Sequence, residues 1–199
     1  MRTVDPAKHQ AKRKHILDSA AGCFALKGFD KTTTADICEA AGISSGSLFH
    51  YFPNKRAIFS GIFEEDRRET GELLAVAAAS ADPWATLLDL VDDMAVQLAA
   101  PVVAPLILEV AAQASRDAEF AELIRGNERA LREGFSALVR AAAEQGKADP
   151  ALDPARAGGW IAGLLDALIS RAGFEPDLEL AEERAMLRLI LTRFLSPSG

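Results

Sequence analysis

The chain has 199 residues, 49% of them hydrophobic and 26% charged, with a formal net charge of −7. That balance is too apolar for a disordered chain and too charged for a membrane bundle. Ala and Leu together number 62 against 25 for Val, Ile and Thr, so an all-α fold is expected. The patterning predicts about nine helices. The first runs from about Pro6 to Lys27, with Ile16, Ala20 and Phe24 on one face and Gly28 at its end. Thr33 or Thr34 caps a short helix to Ala41, closed by Gly42, and Ser44 caps another over 45–51. After Pro53-Asn54 a long helix extends from Lys55 to about Ala79. Asp82-Pro83 opens the next. Further helices read as about 84–99, 102–115 and 118–145, and the last two start at Asp153-Pro154 and Asp177.

Charge is uneven along this series. Residues 1–60 hold nine Lys/Arg and five Asp/Glu, whereas residues 61–199 hold thirteen and twenty-four. A basic head on an acidic body suggests that only the head meets a polyanion. The seam is placed near it, with residues 1–54 as the head and 55–199 as the body. No secretory signal or membrane span is legible, and two cysteines, Cys23 and Cys38, make no disulfide scaffold. A cytoplasmic protein is expected. His9, His15, His50 and both cysteines all lie in the first fifty residues, so the body lacks His and Cys for acid–base, nucleophilic or metal chemistry. No catalytic residue, metal or cofactor is therefore expected. A thiol-based redox sensor is the competing class, weakened because both cysteines fall on faces that should be buried.

Residues 33–55 carry the sharpest signal. They read as two short helices joined by a tight turn at Gly42, with Ile37, Ala41, Ile43 and Leu48 as apolar anchors and Cys38 as the small residue at the crossing. A helix-turn-helix has this form. Leu48 and Phe52 must point inward, which turns Ser45, Ser47, Phe49 and His50 outward. Small residues at the start of the second helix, Ser44, Ser45, Gly46 and Ser47, let it lie deep in the major groove of DNA. Thr33 and Thr34 offer backbone N–H and hydroxyl donors to a phosphate. Lys55 opposes its own helix dipole, which suits a nearby anion.

The segment resembles the DNA-binding signature of the TetR (tetracycline-repressor) family. Thr33, Asp36, Ile37, Ala41, Gly42, Ser44, Gly46, Leu48, Phe52 and Lys55 match that signature in register, and Gly28-Phe29 precede it as in the family. Phe49 stands where Tyr is usual, Tyr51 where His is usual, and Cys38 where Ala is usual. The resemblance implies a three-helix DNA-binding head and a helical effector-binding and dimerisation body. It implies a ligand-responsive regulator, most simply a repressor leaving an inverted-repeat operator when a small molecule binds. An activator is the alternative within that class. Tyr51 and Lys55 are expected on phosphates, with Ser45, Ser47 and His50 near base edges.

The body is expected to dimerise. In WIAGLLDALI (160–169) eight of ten residues are apolar, and the last helix adds further apolar positions. Trp160, Ile161, Leu164, Leu168, Leu187, Ile190, Leu191 and Phe194 form the expected interface, which the resemblance places in a four-helix bundle between copies. A ligand pocket is implied by the resemblance, and Phe63, Trp84, Leu88 and Phe135 either wall it or are plain core. Glu109 is the one charge in VVAPLILEVAA (102–112), with Gln113 one turn on. It pairs either with an arginine of the 118–145 helix or with a cationic ligand. The 55–79 helix, with Phe59 and Phe63 early and Leu73 and Leu74 late, is expected to pack into the body and carry the effector's signal.

Overall fold

A computed structural model describes residues 5–197. Among the described residues there are nine helices and no strand: α1 (Pro6–Lys31), α2 (Thr34–Ala41), α3 (Ser45–Tyr51), α4 (Lys55–Ala78), α5 (Pro83–Leu98), α6 (Val103–Ala114), α7 (Ala118–Glu144), α8 (Pro154–Phe174) and α9 (Leu180–Leu195). The caps explain most of the boundaries. Asp5, Asp82 and Asp153 each accept a first-turn backbone N–H, and each is followed by a proline whose missing N–H costs nothing there. Gly42 ends α2 at φ +61°, a left-handed conformation that a side chain disfavours. Two ends differ from expectation. α9 begins at Leu180 rather than Asp177, after Glu179, which makes no side-chain capping bond. α1 continues to Lys31, but Gly28 breaks it at φ +77° and ψ 164°, so its last turn is a separate piece.

The chain divides into two compact units. The first comprises residues up to Arg68 together with Pro105–Ile124. The second comprises Glu69–Ala104 and the described residues from Arg125 onward. A simple cut at 54/55 is therefore not where packing divides the molecule, because the helical period carries no mark of which core each turn joins.

In the first unit, Ile16, Leu17, Ala20 and Phe24 of α1 pack with Ile37, Leu48, Phe52, Ile58, Phe59, Leu106, Val110 and Phe120. Phe59 is the centre of an aromatic cluster, with ring centroids 5.0 Å from Phe24, 5.1 Å from Phe29, 5.4 Å from Phe63 and 5.1 Å from Phe120. Burial of each phenyl ring contributes about 1.5–3 kcal/mol. Phe59 and Phe63 thus belong to the head's core, contrary to their expected place in the body. One buried carboxylate braces this unit. Glu65 accepts from Gln10 Nε2 at 3.0 Å, Arg13 Nη1 at 2.5 Å and Arg68 Nη2 at 2.7 Å, tying α1 to α4. Burial alone pushes the Glu65 carboxyl up, but Arg68, Gln10 and Arg13 outweigh it and hold the carboxyl below its ordinary value.

In the second unit, Leu87, Leu88, Val91, Phe135, Leu138, Ile161, Leu165, Leu187, Leu191 and Leu195 make the core, with Leu74 packed against it and Leu73 exposed. Arg184 of α9 reaches Asp92 of α5 with both Nε and Nη2, a forked ion pair that fixes the register of those helices. α7 and α8 cross closely at Gly158, where a Cβ would stand 2.6 Å from the Arg132 carbonyl and 2.4 Å from Ser136 Oγ. No single described helix is long and apolar enough to cross a membrane.

Candidate nucleic-acid interface

The first unit presents α2 and α3 as a helical pair. Thr33 caps α2 in a reciprocal box: Asp36 N donates to Thr33 Oγ1 at 3.2 Å, and Thr33 N donates to Asp36 Oδ2 at 2.8 Å. The Thr33 hydroxyl also donates to Asp36, at 2.7 Å. Both donors that the sequence assigns to a phosphate are therefore engaged within the protein at Thr33. Thr34 is half-buried, and its backbone N–H lies in the first turn of α2. Asp36 is held well below the usual carboxylate range, first by Lys27 at 2.7 Å and then by Thr33.

Ser44 caps α3 by accepting from Ser47 N at 3.2 Å. Leu48 is fully buried and Phe52 nearly so, which fixes the rotation of the seven-residue helix. Ser44, Ser45, Gly46, Phe49 and His50 are exposed and Ser47 half-exposed. The side chains at the start of this face are small and the helix carries no acidic residue. Beneath α3, Cys38 is buried with its Sγ 4.0 Å from Ser45 Oγ. Cys23 is half-buried, and burial, together with the Asp36 charge, pushes its thiol up, away from the reactive thiolate.

Tyr51 is half-buried at the end of α3, and its ring packs 4.6 Å from that of His9, with His50 edge-on to both. His9 of α1 thus joins this face. Its position on α1 relates to α3 only through tertiary packing.

Lys55 turns back onto the end of α1. Its Nζ donates to the Phe29 carbonyl at 2.6 Å, the Thr32 carbonyl at 2.9 Å and the Asp30 carbonyl at 3.2 Å, and lies 4.5 Å over the Phe29 ring. The ammonium meets the carbonyl end of α1's last turn, the negative pole of a helical segment. Glu109 Oε2 accepts the Phe29 N–H at 2.8 Å, so its hydrogen-bond partner lies on α1 and not on the 118–145 helix.

The expected pocket residues are not gathered within either unit. Phe63, Glu109 and Gln113 belong to the first and Trp84, Leu88 and Phe135 to the second, where Leu88 and Phe135 are plain core. The expected dimer residues also separate. Ile161, Leu168, Leu187 and Leu191 fill the second unit's own core, because the apolar run in α8 faces inward as well as outward. Trp160, Ile190 and Phe194 are exposed, Trp160 by 67%, and Leu164 is half-buried.

A short, capped helix with an inward leucine and an acid-free outward face, set behind a second capped helix, defines a helix-turn-helix DNA-binding protein. Comparison with known proteins agrees. Residues 16–62 match the family model for bacterial regulatory proteins of the tetR family, and residues 83–196 match that for the C-terminal domain of BetI-type transcriptional repressors. Over 168 residues the chain is 28% identical to the uncharacterized HTH-type transcriptional regulator YfiR of Bacillus subtilis, covering 83% of this chain and 82% of that one. It is 43% identical over 68 residues to the HTH-type transcriptional repressor Rv1474c of Mycobacterium tuberculosis, covering 34% of this chain and 35% of that one. Among solved structures, the regulator FadR of Bacillus subtilis in complex with stearoyl-CoA shares the fold at a TM-score of 0.72 and 18% identity, covering 90% of this chain and 97% of that one. The chain belongs to the TetR family of transcriptional regulators.

Proposed function

We propose that this regulator is a repressor that binds an inverted-repeat operator as a homodimer and leaves it when a small-molecule effector occupies the helical body. The observation that carries the reading is the outward face of α3, where Ser45, Ser47, Phe49 and His50 stand clear around the inward Leu48. Base edges fall to Ser45, Ser47 and His50. Phosphates fall to the α2 N-terminus at Thr34 and to the Tyr51 hydroxyl. Lys55 supports them by holding the backbone before α2.

Dimerisation is supported by an apolar surface on α8 and α9. Trp160, Met186, Leu189, Ile190 and Phe194 are exposed. Between the helices lies a groove of about 120 Å³ lined by Leu164, Ala167, Met186 and Ile190 among others. An apolar surface of this kind favours burial against a second copy. The match to a BetI-type repressor domain supports repression, and the bound acyl-CoA of the FadR neighbour supports a body that takes small molecules. Selection of bound duplexes from a random pool, repeated across a metabolite panel, tests the reading. Enrichment of an imperfect inverted repeat, lost with one metabolite, is the expected result. A pool that yields no enriched sequence rejects it.

A further inference from the structure

On the reading of α2 and α3 as the DNA interface, on which this rests, we propose that Glu109 of α6 is a positioning residue for DNA binding. It latches the broken end of α1 and so fixes the backbone that delivers α2 to the phosphates.

The break at Gly28 creates the need for such a latch. Its φ of +77° takes the chain out of helical geometry, so the N–H of Phe29 starts a new turn without an intrahelical acceptor. Glu109 Oε2 accepts that N–H at 2.8 Å. Its other oxygen sits 3.1 Å from where a Cβ on Gly28 would stand, so the carboxylate is seated in the notch that glycine leaves. The carbonyls of the same turn go to Lys55, at Phe29, Asp30 and Thr32. Thr32 itself is buried, with its hydroxyl donating to the Gly28 carbonyl at 2.7 Å. Residues 28–32 are thereby held between an anion on α6 and a cation on α4, and the next residue, Thr33, is the N-cap of α2. The α6–α7 turn is tied down alongside: Arg56 of α4 donates to Asp117 at 2.6 Å and to Glu119 at 2.9 Å. Residues 105–124 therefore belong mechanically to the DNA-binding unit, as the division of the chain also has it.

The sign of the effect separates the latch from simple charge. Removing an anion from a protein that binds a polyanion strengthens binding if long-range electrostatics is all that matters. Loss of the latch weakens it. Glu109→Ala and Glu109→Gln are compared with wild type by fluorescence anisotropy on a selected duplex at several salt concentrations, with amide hydrogen exchange read at Phe29. Glu109→Ala is expected to bind about tenfold more weakly with an unchanged salt slope, and Phe29 exchange to rise about tenfold. Glu109→Gln, which keeps an acceptor oxygen, stays within about threefold of wild type in both. Glu109→Ala binding as tightly as wild type, or more tightly, overturns the proposal. So does a loss of binding in which Phe29 exchanges no faster than the other α1 amides, because that is general destabilisation. If wild type selects no duplex, the DNA-binding reading falls and the latch with it. That outcome is distinct from a wild type that binds and an alanine variant that matches it.

Discussion

Lys55 gives its ammonium protons to three carbonyls of the segment 29–32, and this determines what its replacement does. A phosphate contact contributes about 0.9 to the slope of log affinity against log salt, and its loss flattens that slope by the same amount. Lys55→Met removes the carbonyl contacts while keeping the aliphatic stem. It is expected to lower stability by about 1–3 kcal/mol and weaken operator binding, with the salt slope unchanged. Anisotropy titrations across salt concentration check this, and a slope reduced by about one unit returns Lys55 to the phosphates. Glu65 makes a prediction about acid. Its folded carboxyl lies below its ordinary value near 4.5, so its contribution is complete above that value and lost as the pH falls through the lower folded one. In melting curves from pH 6 to 3, Glu65→Gln is expected to lose the part of the acid-side decline that belongs to this window. It should be less stable at neutral pH by about 2 kcal/mol, since Arg13 and Arg68 lose their charge-assisted bonds to Glu65. Equal acid-side slopes for the two proteins reject the assignment.

At the scale of the helix, what was legible in the sequence was what local chemistry decides. α2 and α3 stand as read because Thr33, Gly42 and Ser44 act on their own neighbours, within a turn of where they sit. The inward pair Leu48 and Phe52 needed only helical spacing. The partners of Lys55 and Glu109 were not legible, because they lie on α1's last turn, and only tertiary packing brings α4 and α6 to it. The crossing of α7 and α8 was hidden for the same reason. Gly158 is an ordinary helical glycine in the sequence, yet a methyl there meets the Arg132 carbonyl at 2.6 Å and Ser136 N at 2.8 Å. Gly158→Ala is expected to force the helices apart at a cost of about 2–3 kcal/mol, read as a lowered melting temperature. Gly71→Ala on α4, where a Cβ meets nothing within 4 Å, should instead leave stability unchanged or raise it by up to about 1 kcal/mol. Equal effects at the two sites reject the close crossing.

At the scale of the whole molecule, the apolar run in α8 reads the same whether it closes its own unit or meets a second copy. Its two faces separate only once the core is known. Leu168 is 6% exposed and Trp160 67%. Trp160→Glu is therefore expected to yield a folded monomer by sedimentation, whereas Leu168→Glu buries an unpaired charge and unfolds the unit, a cost of several kcal/mol. A dimer that survives Trp160→Glu together with Ile190→Glu moves the interface elsewhere. The expected pocket is not gathered within either unit, since its six residues divide between the two. In the repressor proposed above, the outward face of α3 reads the operator. The most direct measurement is the ratio of affinities for a selected inverted repeat and a scrambled duplex, for wild type and for a variant carrying Ser45→Ala, Ser47→Ala and His50→Ala. Wild type is expected to prefer the repeat by a factor on the order of 10³ or more, and the variant to lose that preference while keeping its affinity for the scrambled duplex. A variant that keeps the full preference would contradict the assignment of α3 as the helix that reads DNA.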